Sequence, residues 1–364
     1  MRKLLFSFWL CCEALSAAPR QIDDHHWQDV DRIIAIGDLH GDWDSYLAVL
    51  QAAGVTDRRG RWKAGQTHLV QTGDVPDRGP DTRRIIEHLA QLARQARKRG
   101  GRVHALTGNH EAMNVYGDLR YTVPGEFAAW ADARSPVRRE ATHPLGWFEH
   151  RRAWDPRQNA RAPMYRWVMQ APVAVQLDGH VFLHGGISHS YCGNSLQSLT
   201  DLVHAALERA DPSDRGILTD PLGPLWYRGL AGVAPAARRD SVDQILETRG
   251  ARRIVIGHTT TGGVIWPRLD GRVIQIDTGM SRAYGRRIGW LEISTDGLQA
   301  GYPGGRVPLP TRDQDRLAYL DAVIALQPDN EALRERRAAL LSGELEAPQA
   351  QADAGEPVSC GTSG

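Results

Sequence analysis

Three short blocks constrain this chain more than anything else in it: Gly37-Asp38-Leu39-His40-Gly41, Gly73-Asp74-Val75-Pro76-Asp77-Arg78-Gly79 and Gly108-Asn109-His110-Glu111. Each follows a short apolar run, and they stand 35 to 36 residues apart. The runs Arg32 to Ile36, His68 to Thr72 and Val103 to Thr107 read as buried strands. Between them, Trp43 to Ala53 and Asp81 to Arg99 carry helical patterns. In the second, Ile85, Ile86, Leu89, Leu92, Ala93 and Ala96 form one stripe with arginines opposite. Strand and helix alternating at this spacing predict parallel strands with right-handed crossovers. Ligands of such sheets gather beyond the strand C-termini, where each block begins.

The residue types in the blocks then narrow the chemistry. Asp38 and His40 alternate along one loop and can address one metal ion; the carboxylate of Asp74 has two oxygens and can bridge two; Asn109 adds an amide oxygen. The flanking glycines permit positive φ and close approach of backbone to a ligand. Mixed Asp, His and Asn donors suit Mn, Fe or Zn better than Ca or an all-oxygen Mg site. Two such ions, about 3.5–4 Å apart, clamp a phosphate and activate water. Taken singly, each block has a plainer reading: a capped turn at Asp38, a Pro-Asp-Arg-Gly turn at Asp77, a helix start at Asn109. Three of them, ordered and each at a strand end, point to hydrolysis of phosphate esters.

In these blocks the chain resembles the phosphoprotein phosphatase family of metallophosphoesterases, whose GDxHG, GDxxDRG and GNHE patterns all stand here unaltered. Two later pieces extend the likeness: His184-Gly185-Gly186 after Val181 to Leu183, and Gly257-His258-Thr259 after Ile254 to Ile256. Within the family the chain looks closest to the Shewanella-like bacterial phosphatases. The cue is Met113-Asn114 followed by Gly117-Asp118-Leu119-Arg120-Tyr121, and some members of that group are tyrosine-directed. The resemblance implies an α/β sandwich of two mixed sheets flanked by helices. It implies six metal ligands: Asp38, His40, Asp74, Asn109, His184 and His258. One ion takes Asp38, His40 and Asp74, the other Asp74, Asn109, His184 and His258, with the division of the histidines left open. It further implies in-line attack on phosphorus by a hydroxide bridging the ions. Arg78 and Asn109 bind the phosphate; His110 is the general acid, oriented by Asp77. In the second half the chain departs from the eukaryotic members. Arg228, in Leu225-Trp226-Tyr227-Arg228-Gly229, is the nearest counterpart of their second phosphate-binding arginine, or else a surface arginine beside an aromatic contact. Asp277 either lines the site or caps a turn.

A formal charge of +1 over 364 residues gives no field favouring nucleic acid. The expected partner is a phosphorylated protein or a small phosphoester. Residues 1–18 read as a secretory signal peptide: Arg2 and Lys3, then the largely apolar Leu4 to Leu15, then Ser16, Ala17 and Ala18. The stretch is too short to span a membrane. Export places the mature protein in the periplasm or outside; a retained segment leaves it cytoplasmic. Cys192 and Cys360 then remain, either paired in an oxidising compartment or free. His189 to Asn194 contains no arginine, which speaks against a thiolate-type phosphate loop around Cys192.

A catalytic region is expected over 32–300, after a solvated lead-in at 19–31 that contains His25 and His26. A mainly helical insertion over 112–172, rich in Trp and Pro, covers the site, with Arg120 and Tyr121 either facing substrate or packed away. Hairpin turns fall at Asp178-Gly179 and Asp270-Gly271. A helical hairpin follows over 311–343, split by Pro328-Asp329, serving either as packing or as a protein docking point. Residues 344–364 lack periodicity and read as disordered. Two rival functions use the same blocks: hydrolysis of diadenosine polyphosphates or other small phosphoanhydrides, and a non-catalytic metal-holding module acting through the C-terminal helices. Intact Asp77, Arg78 and His110 speak against the second.

Overall fold

The computed structural model describes residues 19–130, 144–209, 215–232 and 235–346. In chain order the elements are β1 (Arg20–Gln21), β2 (His26–Gln28), β3 (Arg32–Ile36), α1 (Trp43–Ala52), β4 (His68–Gln71), α2 (Thr82–Arg97) and β5 (Arg102–Ala105). Helices α3 (Asn109–Tyr116), α4 (Pro124–Ala128), α5 (Pro144–Trp154) and α6 (Pro163–Val168) follow. Then come β6 (Ala174–Leu177), β7 (His180–Leu183), α7 (Leu196–Arg209), α8 (Gly229–Gly232), α9 (Pro235–Thr248), β8 (Arg253–Ile256), β9 (Trp266–Arg268) and β10 (Val273–Gln275). The chain closes with β11 (Trp290–Ser294), β12 (Gly297–Tyr302), β13 (Gly305–Pro308), α10 (Arg316–Leu326) and α11 (Glu331–Ser342).

Among the described residues the strands form a six-stranded sheet, β13-β12-β11-β3-β4-β5, and a seven-stranded sheet, β1-β2-β6-β7-β8-β10-β9. Strands β3, β4 and β5 run parallel, as the strand–helix rhythm requires. In the other sheet β7 and β8 run parallel. Strand alternation divides the side chains. Ile33 and Ala35 face Phe182 and Val255 of the opposite sheet in a common inner core. Ile34 and Ile36 turn outward to α1 and α2, while Val181, Leu183, Ile254 and Ile256 turn outward towards Val242 and Ile245 of α9. Burying each such side chain stabilises the fold by roughly 1.5–3 kcal/mol. The Asp178-Gly179 turn joins β6 to β7 with both residues at positive φ (46° and 74°), the twist-compatible hairpin geometry. Asp270-Gly271, at φ of 54° and 73°, lies instead within a four-residue loop between β9 and β10, with Leu269 also at positive φ (53°).

The structure changes three boundaries. The lead-in is solvated only in part: Arg20 to Asp24 are exposed, but β2 pairs with β6, and Trp27 packs edge-on to His68 and His104 in the inner core. His25 is buried against Thr200 and lines a cavity that contains none of the metal-ligand candidates. The six-stranded sheet runs past residue 300, because β12 and β13 pair as far as Pro308. Helix α11 ends at a left-handed Gly343, and Glu344–Glu346 add a short 3-10 turn to what reads as tail. Helix α10 and the start of α11 close the inner core with Tyr319, Leu320, Val323 and Leu333. Residues 1–18, 131–143 and 347–364, and with them Cys360, lie outside the described residues; Cys192 is buried and disulfide-bonded. No described helix is long and apolar enough to cross a membrane.

Candidate metal centre

The loops that leave β3, β4, β5, β7 and β8 converge at one end of the sandwich. They hold unusual backbone: His40, Asp74, Asp77, Arg78 and His258 all sit at positive φ (45°, 59°, 71°, 61° and 64°). Each such residue costs roughly 1–3 kcal/mol, and such strain persists where surrounding contacts over-determine it. Here they do. Leu39 and His40 donate their N–H groups to Asp74 O, and Gly41 donates to Val75 O. Glu111, at the start of α3, accepts from the backbone N–H of Asp74 (2.9 Å), Val75 (2.8 Å) and Gly108 (2.8 Å), tying the second block to the third. A Cβ on Gly73 would lie 2.5 Å from Gly108 N, so a glycine is needed where these two loops touch.

All six predicted ligands meet here. His184 Nε2 lies 2.8 Å from Asn109 Oδ1, 3.0 Å from His258 Nδ1 and 3.3 Å from Asp74 Oδ2. His40 Nε2 lies 4.0 Å from both Asp38 Oδ2 and Asp74 Oδ2. Asp38 Oδ1 accepts the His258 N–H at 3.1 Å. The tautomers decide what these contacts are. His40 Nδ1 donates to Pro76 O (3.1 Å), His184 Nδ1 to Thr72 O (2.9 Å) and His258 Nε2 to Trp226 O (3.2 Å). Each ring spends its one N–H on a backbone carbonyl. Its other nitrogen is therefore a bare lone pair aimed at further acceptors. Lone pairs crowded at 2.8–3.3 Å are repulsive unless a cation lies among them. A ring N–H held by a carbonyl is also how metal-bound histidines are oriented. The donor set therefore fits metal.

Charge tells the same story. Burial pushes the Asp38 carboxyl well above the ordinary carboxylate range, and Asp277 and Asp74 push it further. Burial, with Asp74 contributing, raises Asp277 to about 6 and Glu111 to about 7. Among the described residues none of these acids is paired with an arginine or lysine. A buried carboxylate group of this kind is stable when a cation neutralises it. Asp74 alone goes the other way: burial opposes its charge, but His184, His110 and His40 hold it well below the usual range. Burial pulls His40 down to about 3 and takes His258 well below its ordinary value, which keeps their lone pairs free.

His110 belongs near this group but differs in kind. Its Nε2 is 3.7 Å from Asp74 Oδ2, close enough to count geometrically with His40 and Asp74 as a ligand. Its Nδ1 instead meets a carboxylate, Asp77 Oδ2, at 2.6 Å. Burial works against charging His110, yet Asp74 and the Asp77 bond outweigh it and raise its pKa. The carboxylate on its far nitrogen and the raised pKa set His110 apart from the three rings that donate to carbonyls. Asp77 is itself held by Thr122 Oγ1 (2.8 Å) and Asn114 Nδ2 (3.2 Å). Arg78 lies over the Tyr121 ring (4.4 Å) and near that of Tyr284 (5.3 Å), and its buried Nε has no partner. Arg120 is exposed and paired with Asp118, so of the Arg120-Tyr121 pair only the tyrosine reaches the site. Arg228 donates to His258 O (2.9 Å) and Thr259 Oγ1 (2.8 Å) at the rim. Asp277 is buried and caps a turn through Gly279 N (3.0 Å). A cleft of about 130 Å³ opens beside His40 and Arg78, walled by Asp42, Asp81, Arg282 and Arg286. Larger cavities, of about 580 and 880 Å³, lie elsewhere, against Trp27, and contain none of these residues.

Sequence reasoning passed over Glu111, Asn114, Thr122 and Tyr284. Glu111 closes the third block and so carried a signal; nothing in the sequence marks Tyr284, which the fold brings to Arg78 from a 3-10 turn.

Residues 31–261 match the calcineurin-like phosphoesterase family. The chain belongs to that family. An uncharacterized protein of Schizosaccharomyces pombe is 35% identical over 76% of this chain and 82% of its own length. Shewanella-like protein phosphatase 2 of Arabidopsis thaliana is 29% identical over 73% of this chain and 75% of its own. Among solved structures, the cold-active protein-tyrosine phosphatase of a psychrophilic Shewanella is 27% identical with a TM-score of 0.64, covering 79% of this chain and 82% of that one. The two mixed sheets and outer helices are those of the calcineurin-like phosphoesterase fold, and the enzyme is a metal-dependent phosphatase.

Proposed function

We propose that this calcineurin-like phosphoesterase hydrolyses phosphate monoesters on protein side chains, at a centre where Asp38, His40, Asp74, Asn109, His184 and His258 hold two divalent ions. Manganese suits the mixed nitrogen and oxygen donors, and iron or zinc fits the same set. Such ions polarise phosphoryl oxygens and make water nucleophilic near neutral pH. The chain's own groups do the rest. Arg78, steadied by Tyr121 and Tyr284, grips two phosphate oxygens with its planar fork. Asn109 Nδ2, which among the described residues meets the weak acceptor Met113 Sδ at 3.8 Å, donates to a third. Arg228 adds a charge at the rim. His110 passes the proton on its Nε2 to the departing oxygen, because Asp77 already occupies Nδ1.

The observation that carries this reading is the contrast among four histidines. Three give their N–H to backbone carbonyls and keep a lone pair; one leans on a carboxylate and has its pKa raised. Protein substrates are supported by the Arabidopsis and Shewanella relatives, described as a protein phosphatase and a protein-tyrosine phosphatase. The basic and apolar start of residues 1–18 supports export to the periplasm, which N-terminal sequencing of the mature protein checks. Any protein docking through the C-terminal helices falls to the outward face of α11, where Arg334, Glu335 and Leu341 are exposed.

Turnover of p-nitrophenyl phosphate by manganese-loaded protein tests the acid. His110→Asn lowers kcat by about 10²–10⁴-fold with metal content unchanged; equal turnover in the two proteins removes His110 from the reaction. Peptides carrying phosphotyrosine, phosphoserine or phosphothreonine, run beside diadenosine tetraphosphate, test the substrate class. Preference for the dinucleotide replaces the protein substrate with a phosphoanhydride.

A further inference from the structure

The loop after His258 is held from behind by the C-terminal hairpin. Arg336 Nε donates to Thr261 O at 3.1 Å, Asn330 Nδ2 to Gly262 O at 3.0 Å and Gln327 Nε2 to Gly263 O at 2.9 Å. Three side chains from the joint and second helix of the hairpin thus take three consecutive carbonyls. The loop is shaped for this: Gly262 and Gly263 lie at φ of 76° and 113°, and a Cβ on Gly263 would stand 2.3 Å from Asn330 Nδ2. Thr261 also donates its N–H to Asp277 O at 2.8 Å, fastening the loop to the strand end beside Asp38.

Asn330 shows that the contact is specific. It is the N-cap of α11, a position where an Asn side chain ordinarily accepts from the helix's own N–H groups. Here it makes no such cap bond and turns its amide to Gly262, while Gln327 Oε1 takes its other donor at 3.2 Å. Asn330 is buried, and Arg336 is steadied over the Trp266 ring at 5.0 Å. Its neighbours Tyr319, Leu320 and Leu333 anchor the hairpin in the inner core. On the loop's other side Arg228 holds His258 O. His258 itself sits at positive φ and has its ring fixed through Trp226 O.

We infer that Gln327, Asn330 and Arg336 are positioning residues, with which the C-terminal hairpin sets the His258 loop for metal binding. The inference rests on the two-ion reading above. It is tested with Mn²⁺ alone, titrated into full-length protein against a chromogenic chelator, with amide hydrogen exchange followed over residues 258–263. Asn330→Asp is the informative variant, because aspartate caps a helix as well as asparagine but cannot donate to Gly262 O. The expected result is Mn²⁺ affinity at one of the two sites weakened about 10-fold or more, with faster exchange over 258–263. Gln327→Ala, which removes the bonds to Gly263 O and from Asn330 Nδ2 but leaves Asn330 on Gly262 O, shows the same change in smaller measure and serves if the aspartate variant does not fold. Wild-type protein that binds two ions, with both variants unchanged in affinity, overturns the inference. Wild-type protein that binds none overturns the two-ion reading and this inference with it.

Discussion

The two sheets reach the same centre by different routes. The six-stranded sheet delivers Asp38, His40, Asp74 and Asn109 from three successive parallel strands, each through a glycine-bounded loop bonded to the next. The seven-stranded sheet delivers single histidines, His184 after β7 and His258 after β8, brought together because those strands pair in parallel. One side is built from local motifs. The other is built from distant residues and leans on supports far along the chain, Thr72 for His184 and Trp226, Arg228 and the α10–α11 hairpin for His258 and its loop. Motif density is thus a poor guide to how much a side chain contributes to a shared centre. The lone-pair geometry makes His184 as much a part of it as His40.

The largest effect tests that equality. His184→Ala and His40→Ala each lower p-nitrophenyl phosphate turnover by about 100-fold or more, above what loss of an outer hydrogen-bond partner does. Each also lowers bound metal, as measured by emission spectroscopy. A His184→Ala protein with full metal and activity would show that the seven-stranded sheet is only a backing.

A smaller effect sharpens the division of labour within the six-stranded side. His110 is held above its ordinary pKa in part by Asp77. An acid of this kind works below its folded pKa and is lost as pH rises through it. Asp77→Asn removes that support, so the alkaline limb of kcat moves to lower pH, with kcat at neutral pH down about 10-fold. The pH profile of kcat checks this, and metal content stays put. An unmoved limb would mean that another group sets it.

The smallest effect lies at the far end of β3. Glu292 takes hydrogen bonds from Arg32 (2.7 Å) and Arg306 (2.8 Å). Burial opposes its charge, but the two arginines hold it below its ordinary value of 4.5. Its contribution is therefore present above that value and fades as pH falls through the lower folded one. Glu292→Gln reduces stability at neutral pH by about 1 kcal/mol or less, seen by urea denaturation, and the difference between variant and parent shrinks in acid. Metal binding is unchanged; a loss of metal here would mean that the two ends of the sheet are mechanically coupled.

Much of the first route was legible in the sequence because it is local. A strand end, a glycine and a polar side chain lie within a few residues of each other, and the repeat between blocks fixes parallel neighbours. The burial of Trp27 in the lead-in was not legible: it earns its place only by meeting His68 and His104, 41 and 77 positions away in the chain. Tyr284 beside Arg78, and the choice of Tyr121 over Arg120, likewise depend on which loops touch.

The amino-acid order by itself named the candidate donors, the strand–helix rhythm that lines them up and the class of reaction, since these follow from residue type and spacing. Only the folded chain decided which histidines aim a lone pair into the centre and which one has its pKa raised. That choice is made by the partner on the far ring nitrogen, a carbonyl from a neighbouring strand end or the carboxylate of Asp77. Such partners are set by packing in three dimensions, which no local pattern encodes.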